Sequence, residues 1–128
     1  MTLASANVIG FVGTTDGERA RDFYERVLGL TFVSDERFAL VFDANGVMIR
    51  IFKLDSLAPA PYTILGWSVA DIAATIRSLT ANGVAFERYA GMLQDANGVW
   101  VSPTGAKVAW FKDPDGNVLS LTQFTLPS

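Results

Sequence analysis

The positions best placed for chemistry are two polar residues, Arg50 and Ser120, at matching places in a repeated pattern. Each follows an Asp-rich turn, Asp-Ala-Asn-Gly at 43–46 and Asp-Pro-Asp-Gly at 113–116, and stands at the fourth position after its glycine. An apolar, strand-like segment follows each turn, which indicates two copies of one supersecondary unit. The repeat therefore predicts a pseudo-symmetric fold in which Arg50 and Ser120 face a shared interior. There a guanidinium could bind a carboxylate or phosphate, and a hydroxyl could hydrogen-bond.

The residue types most often used for acid–base and metal chemistry are missing, since the sequence has no histidine and no cysteine. A metal would need oxygen ligands, which favours hard ions if it favours any. Asp43, Glu87 and Asp95 are candidates for general acid–base catalysis, but no pair of them has a diagnostic spacing. No catalytic residue is therefore assigned. Ser120 has no predicted base beside it, so it is better interpreted as a packing or hydrogen-bonding residue than as a nucleophile.

Composition predicts one domain over residues 1–128, because half of the residues are hydrophobic and only 18% are charged. The formal net charge of −3 argues against nucleic acid as a partner, since phosphate binding needs a basic face. No apolar run is long enough to span a membrane, and the start of the chain has no basic region typical of a signal peptide. We therefore expect a cytoplasmic protein without a membrane partner.

The first half of the chain, module 1 at about 7–53, has the pattern β-α-β-β-β. Apolar residues at helical spacing between 20 and 28 predict a helix, with a capping box at Thr15 and Glu18 before it and Gly29 after it. The strands predicted around this helix are 8–12, 31–34, 38–42 and 47–53.

A proline-containing linker at 54–62 precedes module 2, at about 63–125. Asp71 is predicted to cap a helix that runs to about Ala81. The strands predicted for this module are 63–69, 84–89, 99–102, 107–112 and 118–124. The irregular stretch 91–98 could be a lid over a binding site or an ordinary solvated loop.

Two segments resemble signatures of the vicinal-oxygen-chelate superfamily, which includes glyoxalases, bleomycin-resistance proteins and extradiol dioxygenases. The segment Phe-Tyr-Glu-Arg-Val-Leu-Gly-Leu at 23–30 resembles its "FY…vLGL" signature, and Phe-Lys-Asp-Pro-Asp-Gly-Asn at 111–117 resembles "f.DPDGN". The resemblance covers nearly the whole chain. It implies an α+β fold of two tandem βαβββ modules whose mixed sheets curl into a cup with the helices outside, and assembly as a homodimer.

Members of this superfamily with metal chemistry place one ligand on each of four strands, usually histidine, glutamate or glutamine. By resemblance, those positions are Ile9, Arg50, Leu65 and Ser120 in this chain. Isoleucine and leucine cannot coordinate a cation, a guanidinium repels one, and a lone serine is a weak ligand. The sequence therefore predicts no metal site and no cofactor.

Side chains alternate between the two faces of a strand, so each ligand-equivalent position also assigns its neighbours to the cup. The predicted ligand-binding residues are Ile9, Phe11, Met48, Arg50, Phe52, Leu65, Trp67, Trp110, Ser120 and Thr122. Val69 and Val118 follow the same alternation, whereas the facing of Trp110 is not fixed. Alternatively, Phe11 and Trp67 could fill a closed core, and Arg50 could form a structural ion pair with a buried carboxylate.

The leading hypothesis is a metal-independent protein that binds an aromatic or conjugated small molecule, similar to the bleomycin-resistance branch of the superfamily. The alternative is an enzyme of the lyase or isomerase type in which Arg50 stabilises an anionic intermediate without a metal. A third hypothesis is a non-catalytic interaction module whose interior is filled by its own side chains.

Overall fold

A computed structural model describes residues 2–125, which divide into two compact units between Ala58 and Pro59. The first unit contains β1 (Ile9–Thr14), α1 (Gly17–Asp22), a π-helical turn (Phe23–Val27), β2 (Thr31–Asp35), β3 (Ala39–Ala44) and β4 (Val47–Lys53). The second contains β5 (Thr63–Ser68), α2 (Ile72–Ala81), β6 (Trp100–Val101), β7 (Lys107–Lys112) and β8 (Val118–Gln123). A short 3-10 helix, Leu3–Ser5, precedes β1.

Each unit has one four-stranded mixed sheet with the same topology. Sheet 1 has the order β1-β4-β3-β2, and sheet 2 has the order β5-β8-β7-β6. The first strand of each unit pairs in parallel with the last, and the other neighbours are antiparallel. The predicted α+β class with two βαβββ modules is therefore confirmed.

In the first unit, one face of sheet 1 packs beneath the helical segment. Tyr24 is fully buried, and its ring centroid lies 6.1 Å from that of Phe42. Phe42 pairs with Ile49, and Ile51 on the same face is also fully buried. The opposite face of this sheet, turned away from the helix, is called the distal face of sheet 1.

In the second unit, the apolar face of sheet 2 is tied to α2. Leu119 and Leu121 are buried on β8, and the side chain of Gln123, on the same face, accepts a hydrogen bond from the Ile72 amide at the start of α2. The other face of this sheet is called the distal face of sheet 2. Within residues 2–125, no helix is long and apolar enough to cross a membrane.

The sequence predicted the N-cap of α2 correctly and that of α1 incorrectly. Asp71 caps α2 through a bond from the Ala74 amide, as predicted. The capping box at Thr15 and Glu18 was wrong, because Asp16 is the N-cap and accepts from the Arg19 amide at 3.2 Å. A carboxylate one residue further on starts the helix at Gly17 instead.

The predicted strand at 84–89 does not form, and Phe86 makes only an isolated bridge to Phe111. The Gln94 side chain forms hydrogen bonds with backbone groups that would otherwise pair with a neighbouring strand. Its amide nitrogen donates to the Glu87 and Gly98 carbonyls, and its oxygen accepts from the Tyr89 amide. The strand predicted at 99–102 shortens to the two residues of β6.

The two copies of the repeated turn fold differently. Asn45 and Gly46 both have positive φ, at 51° and 91°, and form a two-residue hairpin loop between β3 and β4. The second copy is a longer loop built on Asp113, which is buried. Its carboxylate accepts bonds from the amides of Asp115 and Asn117 and from the Asn117 side chain. These acidic residues therefore act in the turn, as the sequence indicated.

Candidate functional site

Arg50 lies on the distal face of sheet 1, at the centre of β4. Its neighbours along the strand, Ile49 and Ile51, point to the helix side and are buried, so Met48 and Phe52 share the face of Arg50. The parallel register with β1 pairs Phe11 with Arg50 and Ile9 with Met48. The structure therefore brings together all five residues that the sequence predicted for this sheet, which are Ile9, Phe11, Met48, Arg50 and Phe52.

This face is apolar and accessible along β1 and β4, whereas Val41, which pairs with Arg50 on β3, is buried. Phe11 is 56% exposed and Phe52 is 38% exposed, and their rings meet edge to face with centroids 5.4 Å apart. Ile9 and Met48 are exposed to a similar extent. Phe11 does not fill a closed core, so the alternative interpretation of that residue is wrong.

The Arg50 guanidinium has a carboxylate partner at the rim of the same face. Its Nη2 donates to Glu36 Oε1 over 3.0 Å, and both side chains are partly exposed. Glu36 is held in turn, because Lys53 donates to its backbone carbonyl and pairs with Asp35. The pair is not the buried structural ion pair considered above, since the Glu36 side chain is 49% exposed. Water and a ligand anion can therefore compete for the guanidinium.

The distal face of sheet 2 carries Ser120, with different neighbours from those predicted. Ser120 pairs with Gly66 on β5 and with Trp110 on β7, and Thr122 pairs with Ser68. Paired residues share a face, so Trp110, Ser120 and Thr122 lie together, and the facing of Trp110 is now fixed.

Leu65 and Trp67 were wrongly assigned to this face. Leu65 pairs with Leu119, and Trp67 pairs with Leu121, so both point to the helix side. Trp67 stacks there on the buried Phe111. From Leu65 to Ser68 the pairing with β8 is regular, and Gly66 rather than Leu65 pairs with Ser120. The position carried over by resemblance was therefore one residue too early, which gives the opposite face of the strand. For Trp67, the alternative of interior packing is the one the structure supports.

An aromatic cluster on the distal face of sheet 2 was only partly foreseen. Trp110 meets Tyr89 edge to face at 5.6 Å and lies 6.1 Å from Trp100, between ring centroids. Partial burial raises the pKa of Tyr89, and the nearby Glu87 carboxylate raises it further. The strand pattern could have signalled Trp100, because it pairs with Val108 on the face of Trp110. Nothing in the sequence signals Tyr89, which the Gln94 hydrogen bonds position.

The candidate acid–base residues have structural partners. Asp43 accepts a bond from the Gly46 amide at 3.3 Å, and Asp95 accepts from the amides of Asn97 and Val99. Glu87 faces Lys112, with 3.8 Å between its Oε1 and the lysine nitrogen. The hydrogen bonds of Gln94 and Asp95 order the stretch 91–98 internally, as in an ordinary structured loop.

The donor set at the superfamily's metal positions does not suit a metal. The distal face of sheet 1 offers Ile9 and the cation of Arg50, and that of sheet 2 offers Ser120 beside Gly66. None of these is a charged oxygen or imidazole ligand. Across residues 2–125, no group of three or more carboxylates lies close enough to hold an ion.

A family model matches most of the chain. The model of the Glyoxalase/Bleomycin resistance protein/Dioxygenase superfamily matches residues 6–121. The chain belongs to this superfamily. The resemblance of the two signature segments is thereby confirmed. Among curated proteins, none matches the sequence at a significant level.

Several solved structures are similar to this chain over nearly all of its length. The antibiotic binding protein TnmS3 from Streptomyces sp. CB03234 is 24% identical with a TM-score of 0.74, covering 98% of this chain and 100% of that one. The bleomycin resistance determinant encoded on transposon Tn5 is 21% identical with a TM-score of 0.74, covering 95% and 100%. A lactoylglutathione lyase from Agrobacterium tumefaciens is 19% identical with a TM-score of 0.72, covering 95% and 96%. A protein named for antibiotic binding, a resistance determinant and a lyase thus share this fold, so the fold alone does not choose between these functions.

Proposed function

We propose that the distal face of each sheet binds a flat, aromatic or conjugated small molecule, without a metal. The observation that carries the proposal is the set of accessible apolar side chains around Arg50, above all the Phe11 and Phe52 rings. Exposed apolar patches with a few polar groups are typical of ligand sites. TnmS3 and the Tn5 determinant, named for antibiotic binding and bleomycin resistance, support the same class.

Arg50 favours a ligand that carries a negatively charged group. The pair with Glu36 uses one guanidinium nitrogen, so the remaining donors can bind a carboxylate or another anion beside the aromatic rings. A ligand with an acidic group on an aromatic body would satisfy both features. The lyase or isomerase alternative would use the same guanidinium, but the candidate carboxylates are occupied in turns or faced by Lys112.

Two probes test this proposal, 2-naphthoate and naphthalene, which share the aromatic body and differ in the carboxylate. Equilibrium dialysis should show that both bind and that 2-naphthoate binds more tightly. Arg50→Gln should lower the 2-naphthoate affinity by about 3- to 10-fold and leave naphthalene unchanged, the range expected for a partly exposed ion pair.

Arg26→Gln is the matched control, because Arg26 pairs with Asp22 on the exposed side of the helical segment. It should change neither affinity. Failure of both probes to bind the wild-type chain would contradict the proposal. Equal loss of both probes in Arg50→Gln would show that Arg50 is not an anchor for the anion.

A further inference from the structure

Gly66 leaves a gap above the Ser120 hydroxyl on the distal face of sheet 2. A Cβ atom at position 66 would lie 2.9 Å from Ser120 Oγ and 3.2 Å from the Ser120 carbonyl oxygen. Any other residue would therefore press on the hydroxyl and cover it. The backbone does not require glycine, because Gly66 is not among the glycines with positive φ. Glycine here is explained by the space it leaves.

The Ser120 hydroxyl is free to bind through this gap. Within residues 2–125 it makes no hydrogen bond, and no fully buried side-chain oxygen or nitrogen in that range lacks a partner. Its oxygen must therefore reach the surface, although the residue as a whole is only 7% exposed. Trp110, its partner on β7, lies on the other side of Ser120 from Gly66.

We propose that Gly66, Ser120 and Trp110 form a subsite for a hydroxyl group on the edge of an aromatic ligand. The ligand ring would lie against the Trp110 indole, and Ser120 Oγ would exchange a hydrogen bond with the ligand's hydroxyl through the gap above Gly66. A serine hydroxyl can donate or accept, as a phenol can. The paired neighbours, Ser68 and Thr122 included, are neutral, which favours an uncharged polar group over an ion. This inference rests on the proposed function and names a feature of its ligand, a phenolic hydroxyl.

The test compares 2-naphthol with naphthalene, which lacks only the hydroxyl. Ser120→Ala should lower the 2-naphthol affinity by about 2- to 10-fold, the range of one neutral hydrogen bond, and leave naphthalene unchanged. Ser78→Ala is the matched control, since Ser78 is exposed on α2 and lies outside the distal face of sheet 2. It should change neither affinity.

Gly66→Ala provides a second test, because its methyl group would cover the hydroxyl while Ser120 remains. The Gly66→Ala variant should also weaken the binding of 2-naphthol and leave that of naphthalene unchanged. Thermal melting establishes whether this variant folds. If it does not fold, the result for Ser120→Ala decides. Unchanged 2-naphthol binding in Ser120→Ala would overturn the subsite while leaving the proposed function intact. Failure of both probes to bind the wild-type chain would overturn the proposed function and the subsite together.

Discussion

Trp67 lies almost parallel to Phe111, with 6.5 Å between ring centroids and 21° between the ring planes. Because Phe111 is fully buried on the helix side of sheet 2, this stacking makes Trp67 part of the packing. Trp110, one residue before Phe111, points to the distal face. On β7, Phe111 therefore contributes to packing, whereas its neighbour Trp110 lies in the candidate site.

Alanine substitutions should separate these two tryptophans. Trp67→Ala should lower the free energy of unfolding by about 2–4 kcal/mol, as expected for loss of a large packed ring, with little change in naphthalene affinity. Trp110→Ala should cost less stability and weaken naphthalene binding. Denaturant unfolding and equilibrium dialysis of both variants check this. The reverse pattern would place the ligand on the helix side.

Glu36→Gln should strengthen the binding of anions. The substitution removes the negative charge that competes for the Arg50 guanidinium but keeps a side chain of the same size. We expect the 2-naphthoate affinity to rise by about 2- to 5-fold at low salt and the gain to shrink as salt screens the charges. Dialysis at two salt concentrations measures it. A fall in affinity would show that Glu36 is needed to hold Arg50 in its binding orientation.

The two copies of the Asp-rich turn should differ in what they contribute to stability. Asp113→Ala removes the buried carboxylate that accepts bonds from the Asp115 and Asn117 amides, so it should cost about 1–3 kcal/mol. Asp43→Ala removes one long, exposed bond to Gly46 and should cost at most about 0.5 kcal/mol. Urea denaturation of the two variants compares them directly. Equal costs would contradict the account of the second turn.

Tyr89 should ionise at higher pH than an ordinary tyrosine. Burial and the Glu87 carboxylate both disfavour the phenolate, so the folded protein keeps the phenol neutral to a higher pH than the unfolded chain does. The stability that this group contributes is therefore present at lower pH and is lost as the pH rises through the raised pKa of Tyr89.

A pH titration followed by phenolate absorbance measures this pKa. The absorbance change that is present in the wild type and missing in Tyr89→Phe belongs to Tyr89. In Glu87→Gln the pKa of Tyr89 should move down but stay above that of an ordinary tyrosine, because the larger cause, burial, remains. An unchanged titration in that variant would show that the carboxylate does not act on Tyr89.

Much of the fold follows from local sequence signals, and the site follows only in part. The alternation on β4 was enough to place Met48, Arg50 and Phe52 on one face, because the strand is regular along its length. The position carried over by resemblance to β5 was one residue off, so Trp67 was placed on the wrong face. Residue spacing predicts which residues alternate, but irregular pairing and side-chain hydrogen bonds to the backbone, such as those of Gln94, depend on the folded chain.

Three expectations, about assembly, location and metal content, stay predictions. Homodimer formation and a cytoplasmic location came from the resemblance and from composition. The absence of a metal came from the residues at the ligand positions. The single domain over 1–128 also stays a prediction beside the two compact units of the structure.

The binding of a small molecule on the distal face of sheet 1 is tested most directly by methyl NMR with labelled methionine and isoleucine side chains. Met48 and Ile9 flank Arg50 on that face, whereas Ile76 lies buried on α2. Adding 2-naphthoate should shift the Met48 and Ile9 signals saturably through the ring current of the probe, and leave Ile76 in place. Binding that shifts Ile76 but not Met48 or Ile9, or no shift at any probe concentration, would contradict the account.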